Sequence, residues 1–402
     1  MKIFYALGLL AIAYSVQASA AGQLTISLDQ VPAYQRSAQT NSNSGVLRLA
    51  LANSGDETIL VDQKALPIPL SNGRLINDAL RIVDDSGVEA KYKGMFVSFA
   101  DESASEKEIK AGDSINYQVD LPSNYHLEPG KHYTVSLRFG AHYRQKNGPS
   151  VSADKSLHSS EVLVRPVEIW IDPRSSSSTQ SAIDQPRATA AVCTAAEQSA
   201  FANAKSVATS TALMGAAALS NMYHTVNDVT TFPYNARYWK WFGAHVSPVP
   251  NPGDSNDNYV DQGVITAWFR ISDDTSQGPR PAVTPACGDC PQELIDRGAI
   301  AFTYKEELYV IHTCPAFFDD GSGNPQALFP EGNPDYVSLV KTLLHEVTHF
   351  ADEHWDGTID VAINGNDIYD YGEAQFLSSS DRTNAVRNAS NYGFYFINYD
   401  GD

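Results

Sequence analysis

The stretch His345–Asp360, HEVTHFADEHWDGTID, has two histidines four residues apart and a glutamate directly after the first. On a helix that spacing puts His345 and His349 one turn apart on one face, so both imidazoles can reach one Zn²⁺. Glu346 is rotated off that face, close enough to hold a water, take its proton and later pass it to a leaving amine. The preceding PDYVSLVKTLLHEVTHF predicts the helix: Asn333 caps it, Pro334 suits its first position, and Val337, Val340, Leu344 and Val347 share a face. The pattern points to a zinc peptidase; a helix with two ordinary histidines is the bland alternative.

A catalytic zinc takes three protein ligands and keeps a fourth position open. Three candidates lie beyond the motif: His354, Asp360 and Glu373. His354 falls one residue early for HExxHxxGxxH, and Ala351-Asp352 occupies the middle without the Gly. Glu373 lies at a distance a gluzincin uses, at the start of another possible helix. Asp360 comes just after Gly357-Thr358, where a tight turn can return a carboxylate to the metal.

Outward from this stretch, residues 193–402 predict a mainly helical α+β domain. CTAAEQSAFANAKSVATSTALMGAAALSNM (Cys193–Met222) is Ala-rich and suits one or two helices, Phe302–Phe318 holds a strand, and a last helix covers Asp381 to about Tyr395. His312 reads as a packing or strand-edge residue, and Tyr238, Trp239 and Trp241 as core aromatics or a cleft wall. Residues 21–165 predict an all-β domain of immunoglobulin-like sandwich type. Gly45–Gly55 and Lys131–Gly140 alternate apolar and polar residues, with a turn at Glu128-Pro129-Gly130. Residues 166–192 are rich in Ser, Thr and Pro and read as a linker, with Arg174 and Arg187 exposed to processing.

Residues 1–20, MKIFYALGLLAIAYSVQASA, read as a secretory signal peptide ending in Ala18-Ser19-Ala20. No later segment is long and apolar enough to span a bilayer. An exported protein is the expectation, and Cys193, Cys287, Cys290 and Cys314 then read as two disulfides rather than half of a zinc site or a redox pair. The formal charge of −19 argues against a nucleic-acid partner. Asn388-Ala389-Ser390 is a glycosylation sequon.

At this point the residues resemble a family. HExxH, then Gly357-Thr358-Ile359-Asp360 and Tyr371-Gly372, is similar to the aspzincin metallopeptidases, which include deuterolysins and peptidyl-Lys metalloendopeptidases. Arg237-Tyr238 with Trp241-Phe242-Gly243, Cys314-Pro315-Ala316-Phe317-Phe318 and Asn388–Tyr392 extend the likeness, and LPSNYHLEPGKHY is similar to the family's β-sandwich propeptide. Bacterial secreted toxins of the family share this layout. The resemblance implies a zincin-like C-terminal fold, one Zn²⁺ held by His345, His349 and Asp360, and Glu346 as general base. It implies Tyr371 as oxyanion donor, and Cys193–Cys287 and Cys290–Cys314 as the disulfides. It also implies a zymogen whose N-terminal domain inhibits it, acting as a monomer on protein or peptide substrates.

Two departures stand out. Ten residues, VAINGNDIYD, separate Asp360 from Tyr371 where the family has two. Tyr369 therefore competes as the oxyanion donor, and Asp367 or Asp370 as ligands. The acids that bind a substrate lysine in Lys-specific members correspond to Ser390 and Gly393, so strict Lys specificity does not carry over; Asp367 and Asp370 could supply acids instead. The rivals to a secreted zinc endopeptidase are a gluzincin-type enzyme using Glu373 and a catalytically silent secreted binding or adhesion protein. The β domain itself reads as a propeptide or as a permanent module that binds a partner or carbohydrate.

Overall fold

The structure is a computed structural model of the 402-residue chain. It describes residues 22–31, 45–63, 66–100, 106–147, 160–162, 164–173, 192–220, 224–226, 229–231, 235–243, 255–273, 281–321, 323–330, 332–335, 337–351, 355–363, 366–367 and 370–398. The signal peptide, most of the linker, His354 and Tyr369 lie outside the described residues.

Alternating side chains build the N-terminal strands. Leu24, Ile26 and Leu28 of Leu24–Gln30 and Leu47, Leu49 and Leu51 of Val46–Asn53 turn inward, and the two strands pair antiparallel. With Ser114–Asp120 they form one small sheet. A second sheet runs in the order Ser160–Val162, Ala141–Gln145, Ile59–Asp62, Glu106–Ile109, and a third Val167–Trp170, His132–Leu137, Leu80–Asp84. Gly130 closes the predicted turn at a φ of 79°, where any other residue would be strained.

One N-terminal strand joins none of these sheets. Met95–Phe99 instead lies at the edge of the C-terminal sheet, in the order Thr284–Cys287, Val310–Thr313, Ala299–Tyr304, Met95–Phe99. The first two strands are parallel, and Ala299–Tyr304 is antiparallel to both its neighbours. Its register sets Ala301 opposite Ser98 and Thr303 opposite Phe96. Met95, Val97, Phe99 and Phe302 bury in a separate apolar cluster with Leu294 and the half-cystine Cys314. Period-two alternation turns Phe96, Ser98, Ala301 and Thr303 to the other face.

That other face meets the helix Leu339–His349, which carries the HExxH motif. Its cap is Ser338, whose hydroxyl accepts from the Lys341 amide at 3.3 Å. Asn333 does not cap it, because its side chain is used in a local turn with the Asp335 amide. Ala195–Ser220 forms a single helix, packed through Ala204, Ala208 and Ala212 against Ser255–Ser272 and the HExxH helix. Gly215 is required there: a Cβ would stand 2.7 Å from the Phe396 ring. The last predicted helix is two pieces, Arg382–Ala385 and Ala389–Ile397, because the chain turns at Asn388 to bridge Ile359. Arg270 donates to the Val347 carbonyl at 3.0 Å, satisfying one of the helix's last acceptors.

The four cysteines form Cys193–Cys287 and Cys290–Cys314, the pairing the resemblance implied. His312 is buried in its strand, between Asp289 and Glu307 and stacked on Phe302. Tyr238 and Trp241 are core residues, while Trp239 is partly exposed. Among the described residues no helix is long and apolar enough to cross a membrane.

Candidate metal centre and cleft

His345 and His349 leave one face of their helix, and Asp360 meets them from the turn beyond it. The Nε2 atoms of the two histidines are 3.1 Å apart, and Asp360 Oδ1 is 3.1 Å from one and 3.5 Å from the other. Donor atoms bound tetrahedrally to one zinc would stand roughly 3.3 Å apart, given bonds of about 2.0–2.1 Å. The triangle therefore fits a zinc ion, and two imidazoles with a carboxylate are a donor set suited to it. Among the described residues this is the one group of His, Cys, Asp or Glu side chains with metal-holding geometry. Glu373 is not in it; its amide caps onto Asp370 at the start of Tyr371–Ser380.

The Gly-Thr pair explains how Asp360 arrives. Gly357 has a φ of 75°, and a Cβ on it would stand 2.5 Å from the His349 and Phe350 carbonyl oxygens. Only glycine lets the chain double back so closely on the helix end. The Thr358 amide donates to the Thr348 carbonyl at 2.7 Å, and its hydroxyl pairs with that of Thr348 at 2.7 Å. Beyond it, the Ile359 amide donates to the Arg387 carbonyl, and the Val361 amide to Asn388 Oδ1. Asp360 is thus clamped between two anchored neighbours. The Asn388 side chain is buried and used in this clamp, so the sequon is not presented at the surface.

The other ring nitrogens are held too. His349 Nδ1 is 3.3 Å from the Thr358 carbonyl, to which its N–H donates, leaving Nε2 with its lone pair toward the centre. Burial pushes the His349 imidazole down to about 3 against the pull of Asp360, so the ring is neutral, as a metal ligand must be. Ser390 Oγ sits 3.3 Å from His345 Nδ1.

Glu346 is fully buried behind the triangle. Its Oε1 accepts from the Ser98 hydroxyl at 2.6 Å and its Oε2 from the Thr303 hydroxyl at 3.1 Å. Burial pushes its carboxyl up to about 7, with the His345 charge and the Ser98 hydrogen bond opposing. A carboxyl poised there can both take and return a proton near neutrality.

The N-terminal region touches this centre through Ser98 on Glu346, Phe96 stacked on the His349 ring at 4.4 Å, and Asn77 donating to the Asp360 carbonyl at 2.8 Å. Beside His345 a cavity of about 370 Å³ stays open, lined in part by Ser390, Gly393, Phe394, Lys341, Asp335 and Asp370. Ser390 and Gly393 are the positions matched to the family's lysine-binding acids. Tyr371 packs behind Phe394, outside the cavity lining: its ring meets Trp241 and Phe394 edge-on, with the Lys240 ammonium over its face.

Residues 232–397 match the family Aspzincin M35, described as lysine-specific metallo-endopeptidase. This segment is an aspzincin domain. It is accordingly a zinc metalloendopeptidase. No curated protein matches the chain. Among solved structures, a zinc peptidase from Grifola frondosa is similar at 24% identity and a TM-score of 0.37, covering 52% of this chain and 98% of that one. The ApaA protein from Bordetella pertussis is similar at 14% identity and a TM-score of 0.21, covering 38% and 96%.

Sequence reading found the motif residues of the aspzincin site but missed Ser98, Phe96, Asn77 and Thr303. The signal for the first two was the stretch MFVSF, Met95–Phe99, apolar but for Ser98 and without an apolar–polar alternation, which fits a strand buried on both faces.

Proposed function

We propose that this aspzincin is an exported endopeptidase made as an inactive precursor, with the N-terminal domain lying in its own substrate cleft. The observation that carries the inhibitory reading is the Met95–Phe99 strand. It pairs antiparallel with Ala299–Tyr304 and sets a hydroxyl on Glu346 and a ring on His349. An extended peptide substrate added to the same edge would gain main-chain hydrogen bonds in the same way. Processing in the linker near Arg174 or Arg187 would release it.

In the released enzyme His345, His349 and Asp360 would hold one zinc ion. When bound, zinc polarises the scissile carbonyl and acidifies the attacking water. Glu346 takes the proton from that water and delivers it to the departing amine, a role suited to its carboxyl near neutrality. The substrate backbone lies along Ala299–Tyr304, and a side chain next to the cut bond enters the cavity beside His345. Tyr371 is assigned as the oxyanion donor on family resemblance. With Ser390 and Gly393 in the cavity wall, strict lysine preference is not expected.

Glu346→Gln tests the assignment. It keeps the side-chain shape and one accepting oxygen but cannot take up the proton, so zinc content should stay at one per chain while casein hydrolysis is lost. Casein hydrolysis persisting in that variant would remove Glu346 from the mechanism, whereas a processed, zinc-loaded wild type that is itself silent would favour a binding protein.

A further inference from the structure

We propose that Thr303 is a positioning residue for the reaction: its hydroxyl holds one oxygen of Glu346, Oε2, so that the other, Oε1, alone serves as the base. This rests on the reading that Glu346 is the general base.

The placement comes from the sheet. Thr303 stands on the strand nearest the HExxH helix, with Ala301 two residues before it on the same face. Ala301 has no bulk, so the helix can approach the strand closely enough for a threonine hydroxyl to reach a glutamate on it. Thr303 is wholly buried, as is Glu346, and the hydroxyl donates to Oε2 at 3.1 Å. A buried hydroxyl donating to a buried carboxylate sets the rotation of the carboxylate plane about its last bond, which is otherwise broad.

The two hydroxyls on Glu346 differ in origin. Ser98 belongs to the N-terminal strand that fills the cleft, and it holds Oε1. Thr303 belongs to the peptidase sheet itself, and it holds Oε2. When the N-terminal strand leaves, Oε1 loses its donor and faces the cleft where water and substrate enter. Oε2 keeps its donor. Release of the N-terminal domain therefore exposes one defined oxygen rather than a freely turning carboxylate, and a pre-oriented base needs no reorganisation during proton transfer.

The test is kinetic and uses the processed, zinc-loaded enzyme obtained from the folded full-length chain. Thr303→Val removes the hydroxyl at nearly constant volume. The proposal expects kcat to fall about 10-fold or more, the range of a lost hydrogen bond to a charged group, with KM within about twofold. Zinc content should remain one per chain, and Thr303→Ser, which restores a hydroxyl without the methyl, should recover most of kcat. Unchanged kcat in Thr303→Val overturns the proposal. So does a loss of kcat accompanied by lost zinc or a matching rise in KM, or one that Thr303→Ser does not repair, since each indicates packing alone. Glu346→Gln run in parallel separates the two readings. Residual turnover in that variant removes the base itself, whereas a dead Glu346→Gln with a normal Thr303→Val removes only the role of Thr303.

Discussion

Ser98→Ala probes how the N-terminal domain restrains the peptidase. The Ser98 hydroxyl donates to Glu346 Oε1 at 2.6 Å, and both side chains are buried. Removing the hydroxyl leaves a carboxylate oxygen facing a methyl group in the docked state. In the undocked state water reaches the same oxygen, so the loss falls on docking alone. A hydrogen bond to a charged group contributes about 1.5–3 kcal/mol. That shifts docking toward the open form by roughly 10- to 150-fold. The charged form must be present, and burial holds the Glu346 carboxyl near 7, so the assay belongs at about pH 8. The chain should carry Arg174→Ala and Arg187→Ala to stop processing in the linker, be loaded with zinc, and be given a fluorogenic peptide. Ser98→Ala in this uncut background should hydrolyse it about 10-fold faster or more than the parent. An equal or lower rate, in a variant that folds and holds zinc, would refute the inhibitory role assigned to the strand.

Asp360→Ala should lose zinc measured by atomic absorption, while Glu373→Ala keeps it, because Glu373 stands outside the triangle; the reverse result would turn the assignment to a gluzincin. Asp261 on Ser255–Ser272 offers a pH test, since burial pushes its carboxyl up to about 7 whereas an unfolded aspartate ionises near pH 4. The folded chain then binds more protons than the unfolded one between about pH 4 and 7, so this group makes stability fall as pH rises through that window. Urea unfolding of Asp261→Asn at pH 5 and pH 7 should show less of this fall than the parent, and identical slopes would exclude the effect.

The catalytic half was legible because its chemistry is local. His345, Glu346 and His349 lie within one helical turn, and a period of 3.6 residues determines which of them share a face. Gly357-Thr358 before Asp360 was equally readable, since a glycine turn and a short polar residue have few other uses. The disulfide-forming cysteines and the alternating strands also announced themselves, through their even count and through periodicity. The helix start did not: Ser338 and Asn333 are both competent caps, and only the tertiary path of the chain showed that Asn333 is spent on a turn.

By itself the sequence determined the helix that sets His345, Glu346 and His349 within one turn, and it put Asp360, after its glycine turn, ahead of Glu373 as third ligand; the geometry then brought Asp360 and not Glu373 to the two histidines. Only the tertiary structure decided what surrounds Glu346. Ser98 lies 248 residues from Glu346 and Thr303 lies 43 residues away. Contacts at such separations depend on strand pairing and register, where a slip of one residue would turn Ser98 and Phe96 to the opposite face. The apolar stretch Met95–Phe99 marks a strand buried on both faces, but no local pattern says which sheet it joins. Its burial on both faces comes from the partner it finds, the peptidase sheet edge, and that partner is specified by the fold of both halves together.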